Sequence, residues 1–132
     1  MEKTLQTTCG EGKWKVNLTL IETMPKKGII VVLTGGEEPH VGAIAIAIPC
    51  SIVQHAGKMT SSISVFVLPG HMDDKVAVPL AKKLSEKLNE LVVVVCGLHI
   101  HNATTQDIKR LVRNSNKAVN RITKKLLKSL SP

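Results

Sequence analysis

One stretch constrains the fold more than any other: residues 91 to 107, which read LVVVVCGLHIHNATTQD. Residues 91 to 96 are apolar and rich in β-branched side chains. The run is too short for a core helix and too continuous for a strand with one wet face, so we predict a buried strand covered on both faces. Gly97 is expected to end this strand. Thr104 and Asp107 have the spacing of a capping box, in which a hydroxyl and a carboxylate satisfy the first free N–H groups of a helix.

Polar residues connect this predicted strand to the predicted helix. They include His99, His101 and Asn102. The junction between the carboxyl end of a strand and the amino end of a helix is a common place for ligand contacts. These three residues are therefore the first candidates for a functional site.

Apolar periodicity elsewhere predicts further strands and one more helix. The strands are expected near residues 3–9, 13–23, 29–33, 41–48 and 61–68. The first helix is expected to run to about residue 90 with Asp73 or Asp74 as its cap, and the last helix over about 105–127. We predict one domain over residues 1–132. The predicted fold class is α+β, a mainly antiparallel β-sheet of about six strands with two helices, in the order β-β-β-β-β-α-β-α.

Residues 41 to 48 alternate small and large side chains. One face of the expected strand carries Ala43, Ala45 and Ala47, and the other carries Ile44, Ile46 and Ile48. An alanine face lets a helix or a second chain approach closely, whereas an isoleucine face is typical of a conventional core. We therefore expect a close packing partner on the alanines, and a homo-oligomer that uses either this face or an edge strand.

The net charge of +8 raises the question of nucleic-acid binding. After residue 108 the chain has basic residues and no acid, so the charge is concentrated in the last helix. One Trp, one Phe and no Tyr leave no aromatic platform on which single-stranded nucleic acid could stack. We predict no specific nucleic-acid partner, and weak phosphate contact through the basic helix is the alternative.

Signals for export and membrane insertion are missing from the sequence. No apolar run reaches the length that spans a bilayer, and the first residues, MEKTLQTTCGEGK, lack the hydrophobic core of a signal peptide. Cys9, Cys50 and Cys96 are odd in number and have no C-x-x-C spacing, so neither a disulfide framework nor a zinc ribbon is expected. We predict a cytoplasmic protein with no membrane partner.

Counting chain reversals brings four loops to one end of the sheet. If each short turn reverses the chain, the loops at residues 10–12, 35–42, 69–74 and 97–104 lie together. That end then holds His40, His71, His99 and His101. The amino ends of both helices point there as well, and their free N–H groups and dipoles favour phosphate or carboxylate. An anionic ligand is expected at this end.

Each feature of these loops also has a simpler interpretation. Glycines can serve only to turn the backbone, and a histidine beside a turn is commonly solvated or capping. His99 and His101 would point the same way on an extended segment, which suits a metal. No spaced acidic or cysteine partner is evident in the sequence, so we expect no metal.

Signatures of catalysis are missing from the sequence. There is no G-x-S-x-G elbow, P-loop or dinucleotide fingerprint. Cys96 ends a core strand, where desolvation makes a thiol unreactive. Because few carboxylates lie near the histidine loops in the sequence, we expect no acid/base pair. The chain is predicted to bind a partner or ligand and not to be an enzyme.

Three spaced motifs resemble those of a known family. They are Gly35-Gly36 with Pro39-His40, then Leu68-Pro69-Gly70-His71, then Gly97-Leu98-His99 with Asn102. Over about residues 28 to 120, the chain resembles the prenylated-flavin chaperone-like family, the small D-type subunits associated with gallate and related hydroxyarene decarboxylases. The resemblance implies a fold similar to that of the proteasome assembly chaperones. It also implies a non-catalytic role, in which the protein helps a prenylated-FMN-dependent decarboxylase to acquire or mature its cofactor.

The resemblance further implies which residues contact the flavin. Carried onto this chain, the candidate cofactor-binding residues are Gly35, Gly36, His40, Gly70, His71, Gly97, His99, His101, Asn102 and Thr104. His101 stands where the family pattern has an acid. FMN or prenylated FMN, bound transiently, is the implied cofactor, and a decarboxylase catalytic subunit is the implied partner. An assembly chaperone or scaffold without a small ligand is the alternative.

Overall fold

A six-stranded sheet with two helices forms the described part of the chain, residues 2–51, 59–68 and 73–130 of a computed structural model. The strands are β1 (Lys3–Cys9), β2 (Val16–Glu22), β3 (Ile29–Gly36), β4 (Ala43–Ser51), β5 (Met59–Val67) and β6 (Val92–His99), and the helices are α1 (Asp74–Leu88) and α2 (Thr105–Leu130). A single 3-10 turn, Gly12–Trp14, joins β1 to β2. The predicted α+β class and the order of the elements are confirmed.

The strand order, β1-β2-β3-β6-β4-β5, places β3 and β6 in the middle of the sheet. These two strands run parallel, and every other neighbouring pair is antiparallel. Consequently β1, β3, β5 and β6 all finish at the same end, which we call the histidine end. The convergence of loops predicted from chain reversals is confirmed for the described residues.

Both helices pack on the same face of the sheet, α1 over β4, β5 and β6, and α2 over β1 and β2 with part of β3. Ala43, Ala45 and Ala47 point into this layer and are at most 1% exposed. Their small side chains let α1 approach β4 closely, so the predicted packing partner of the alanine face is a helix of the same chain.

The other face of the sheet carries no helix among the described residues, and we call it the open face. Ile46 and Ile48 lie on it and are 36% and 50% exposed, so the prediction that the isoleucines fill a core is wrong. Val93 and Val95 of β6 share this face and are only half-buried. The prediction that this strand is covered on both faces is therefore also wrong within the described chain, because both helices pack on one side.

The boundary of β6 also differs from the prediction. The strand does not stop at Gly97 but continues to His99, because Leu98 and His99 remain paired with Gly35 and Gly36 of β3. Gly97 is therefore a residue within the strand, and its lack of a side chain leaves room for the backbone of His40. His99 is therefore held by a central strand and not by a free loop.

Helix α2 runs to Leu130, a little beyond the predicted end. Ile108 and Val112 are apolar residues of this helix, but they are 54% and 37% exposed. The buried stripe instead passes through Leu111, Ser115, Ala118, Val119, Ile122, Thr123 and Leu126. No helix in the described ranges is long and apolar enough to cross a membrane.

Two buried carboxylates lie at the end of the sheet opposite the histidines. Glu22 is 4% and Glu90 is 5% exposed, and each has one oxygen without a hydrogen-bond partner among the described residues. Burial raises the pKa of Glu90, and the neighbouring charge of Glu22 raises it further, against the opposing effect of a hydrogen bond from the Gly28 backbone. The ionised form of Glu90 is therefore unfavourable in the folded protein.

Replacing Glu90 with glutamine is expected to raise the free energy of unfolding at neutral pH. A raised folded-state pKa means that Glu90 favours folding in acid, and that this contribution is lost as the pH rises through the folded-state pKa. Thermal unfolding should show stabilisation by Glu90→Gln at about pH 7 that fades toward about pH 4. The exposed control Glu11→Gln should change little at either pH. Equal stability of Glu90→Gln and wild type at neutral pH would contradict this interpretation.

Candidate functional site

Three histidines meet at the histidine end: His40 from the β3–β4 loop, His99 from the last position of β6, and His101 just after that strand. The ring centroids of His40 and His99 lie 6.2 Å apart, and those of His99 and His101 lie 5.0 Å apart, both edge-on. The predicted meeting of distant imidazoles is therefore confirmed for these three. Gly70 and His71, which the sequence also assigned to the site, lie outside the described residues.

Glycines allow the His40 loop and the end of β3 to lie close to the end of β6. A Cβ atom built on Gly97 would overlap the backbone carbonyl of His40, and one on Gly36 would overlap the backbone of His99. Hydrogen bonds join the same segments: the Gly42 N–H donates to the Cys96 carbonyl at 2.9 Å, and the Glu37 N–H donates to the His99 carbonyl at 2.6 Å. These glycines shape the site through close backbone packing.

Gly35 has a similar role one strand away. A Cβ atom on Gly35 would lie 2.9 Å from the Cα atom of Val16 in β2. Gly36 also has a φ angle of +81°, which disfavours any residue with a side chain. The structure therefore gives both predicted site glycines a backbone role.

His40 forms a pair with a buried carboxylate. Its Nε2 atom lies 3.2 Å from Oδ2 of Asp73, a residue that is 6% exposed. On its other side, Nδ1 lies 2.8 Å from the backbone carbonyl of Glu38. Asp73 is fixed in turn by the Leu98 N–H, which donates to its Oδ1 at 2.9 Å. The sequence predicts Asp73 only as a possible helix cap and few carboxylates near the histidine loops, so its pairing with His40 was not predicted.

Cys96 lies in β6 and is fully buried. Burial, together with the negative charge of Asp73, raises the pKa of its thiol to about 12. The thiol is therefore protonated at physiological pH and is a poor nucleophile, as predicted. All three cysteines, Cys9, Cys50 and Cys96, are free thiols.

A second acid lies beside the His-x-His segment. One ligand atom each from Glu38, His99 and His101 lies within 4.8 Å of the other two. The Glu38 carboxylate is 2.9 Å from Nε2 of His101, and both side chains are more than half exposed. Two imidazoles and one carboxylate are a common ligand set for Zn²⁺ and similar divalent cations.

The acidic partner was missed because it is distant in sequence. No metal was expected on the premise that an acid was lacking, and the structure shows that this premise is wrong. Glu37 and Glu38 lie in the loop that chain reversal places at the histidine end, and that placement was the signal that could have identified them. Glu37 helps to hold the arrangement, since its Oε1 accepts the His101 N–H at 2.9 Å.

The amino end of α2 is capped by its own residues. The Thr104 hydroxyl accepts the Asp107 N–H at 3.1 Å, and the Asp107 carboxylate accepts the Thr104 N–H at 3.0 Å, so the predicted capping box is confirmed. Hydrogen bonds from the Thr104 backbone and from the Trp14 indole lower the pKa of Asp107 to about 2. Thr104, a predicted flavin contact, thus has a structural role. Asn102 just before it has a φ of +51°, a left-handed conformation that asparagine tolerates.

Negative charge already lies at the amino ends of both helices. Asp73 immediately precedes α1, and Asp107 lies in the first turn of α2. The argument that free helix ends would attract an anion is therefore weaker than the sequence implied. Any phosphate at this end needs positive charge from the imidazoles or from a bound cation.

Comparison with known proteins agrees with the fold and the motifs. Residues 10–127 match the family described as prenylated flavin chaperone LpdD-like domain. One solved structure with a similar fold is a novel chaperone complex for yeast 20S proteasome assembly, with a TM-score of 0.60, 19% sequence identity and 98% coverage of each chain. No curated protein matches the chain. Since the matched residues make up most of its length, the chain belongs to the prenylated flavin chaperone LpdD-like family.

Proposed function

We propose that this protein binds prenylated FMN at the histidine end and helps a decarboxylase to acquire or mature that cofactor. The observation that supports this most directly is the meeting of His40, His99 and His101 within the region that matches the family. Imidazole N–H groups can donate hydrogen bonds to the phosphate or to the ring oxygens of a flavin. We assign no catalytic step to the protein.

The charges around the imidazoles determine whether a flavin phosphate could bind at the histidine end. Glu37, Glu38 and Asp73 bring three carboxylates close to the imidazoles, and carboxylates repel phosphate. A divalent cation held by Glu38, His99 and His101 would reverse the sign of the charge at this place. We therefore include such a cation as a second ligand of the proposed site.

Binding of the flavin can be tested by absorbance and thermal shift with FMN and prenylated FMN, each with and without Zn²⁺. His99→Ala is expected to weaken binding about tenfold or more, since a hydrogen bond to a charged group contributes about 1.5–3 kcal/mol. The control Lys117→Ala, on the exposed side of α2, should bind as the wild type does. Failure of the wild type to bind either flavin, or an equal loss in both variants, would overturn the proposal.

An assembly chaperone without a small ligand is the second candidate, and it is favoured by the fold that the chain shares with a proteasome assembly chaperone. The two candidates predict different complexes. Native mass spectrometry after co-expression with a candidate decarboxylase would show whether flavin mass accompanies the complex. A partner complex that forms without flavin and survives His99→Ala would support the scaffold and reject the flavin carrier.

A further inference from the structure

The open face of the sheet is apolar in its centre and free of charge. Two rows of side chains cross the strands on this face. The first row consists of Ile21, Ile30, Val93, Ile46 and Ser64, and the second consists of Thr19, Val32, Val95, Ile44 and Phe66. No Lys, Arg, Asp or Glu side chain occurs on this face within the described strands. The chain has 18 Lys and Arg and 10 Asp and Glu residues, so a charge-free surface of this size is unusual for it.

Exposure of this surface to water is costly. Phe66, the one phenylalanine of the chain, is 66% exposed, and Ile48 is 50% exposed. Ile30 and Ile46, near the centre of the sheet, are each 36% exposed. Soluble monomers rarely expose contiguous apolar patches larger than a few hundred Å². A partner that covers the face would remove this cost.

We propose that the open face binds the open face of a second copy, giving a two-layered β-sandwich with the helices outside. Sheets pack face to face in this way at a separation of about 10 Å. In a dimer with a two-fold axis, the same patch of both copies meets at the interface, so like charges on that patch would repel each other. A neutral face meets that requirement even though each chain carries a net charge of +8.

The position of the basic residues favours a second copy of the chain, and not a charged macromolecule, as the partner of the open face. The basic residues of α2 lie on the exposed side of the helix, and α2 packs on the opposite face of the sheet. In the proposed dimer, the two basic helices are therefore separated by both sheets. A nucleic acid or an acidic protein would find no charge to pair with on the open face.

The available area is sufficient for a stable dimer. With a strand spacing of about 4.8 Å and a rise of about 3.3 Å per residue, six strands of about six residues present roughly 600 Å². Two copies would together bury roughly 1,200 Å², which reaches the lower bound of specific interfaces. Phe66 supplies the aromatic anchor that such interfaces commonly use.

Light scattering coupled to size exclusion, across the micromolar range, tests the proposal. The wild type should have twice the 14.3 kDa mass of the chain. Ile46→Glu places a charge at the centre of the face and should weaken the dimer by about 100-fold or more. The control Ile108→Glu makes the same change at an isoleucine of α2 that is 54% exposed, and should leave the mass unchanged.

Phe66→Ser provides a second variant, since this side chain is exposed and its loss should not prevent folding. It should weaken the dimer about tenfold or more, with an unchanged circular dichroism spectrum. A monomeric wild type would overturn the proposal. A dimer that is broken by Ile108→Glu but survives both open-face changes would overturn it as well.

Discussion

Replacing Gly97 with alanine is expected to lower the free energy of unfolding by about 3 kcal/mol and to displace the His40 loop. The added methyl group would overlap the backbone carbonyl of His40, which cannot rotate away as a side chain could. For a chain of this size the loss corresponds to a fall in Tm of about 10 °C. The separation of His40 from His99 should also increase, which histidine ring resonances in NMR spectra would report.

Gly12 offers a matched control for this change. It has a φ angle of +59°, but a Cβ atom there would have no neighbour within 4 Å. Gly12→Ala should therefore cost only the backbone strain, about 1 kcal/mol, and should leave the histidine resonances unchanged. If both alanine variants lost the same stability, close backbone packing would not be the reason for glycine at position 97.

The location of the candidate site could be inferred from the sequence because it depends mainly on strand direction. Each short, glycine- or proline-marked turn reverses the chain, and this was enough to bring His40 and His99 to one end. The long connection that contains α1 does not break the rule, since β6 returns parallel to β3 and finishes at the same end. Strand direction is a coarse property, and it tolerates errors of several residues in the boundaries.

Contacts between distant side chains could not be inferred in the same way. Asp73 was interpreted as a helix cap, but its carboxylate accepts the Leu98 N–H and pairs with His40. Glu38 was not connected with His101 because 63 positions of sequence separate them and only the folded loops bring them together. A pattern along the chain reports periodicity and local capping, whereas these contacts depend on side-chain direction in three dimensions.

The apolar run of β6 illustrates a second limit. A continuous apolar run indicates that both faces of a strand are shielded from water, but it does not indicate what covers each face. Val92, Val94 and Cys96 meet the helices, whereas Val93 and Val95 lie on the open face. A sheet covered by helices on one side and by a second copy on the other would require the same sequence pattern as a sheet covered by helices on both sides.

Removal of the His99 imidazole is expected to abolish tight binding of Zn²⁺ by this protein. In the proposed site His99 is the least exposed of three ligands, with Glu38 and His101 beside it. Loss of a direct ligand should cost more than the roughly 10–100-fold that loss of an outer-shell hydrogen bond costs. Isothermal titration of the metal-free protein with Zn²⁺ measures the change in affinity. Wild-type binding should weaken in acid, because an imidazole must be unprotonated to bind a metal.

Substitutions of two neighbouring acids can distinguish coordination of the cation by a carboxylate from a general effect of negative charge on cation binding. Glu38→Gln removes a proposed ligand, whereas Glu37→Gln removes the same charge from a residue whose carboxylate accepts a backbone N–H. If Glu38 binds the cation, Glu38→Gln should weaken binding about 100-fold or more, and Glu37→Gln should change it by only a few-fold. Equal losses in the two variants would show that the cation responds to net charge alone. Zn²⁺ binding that persists in His99→Ala would show that these three side chains are not its ligands.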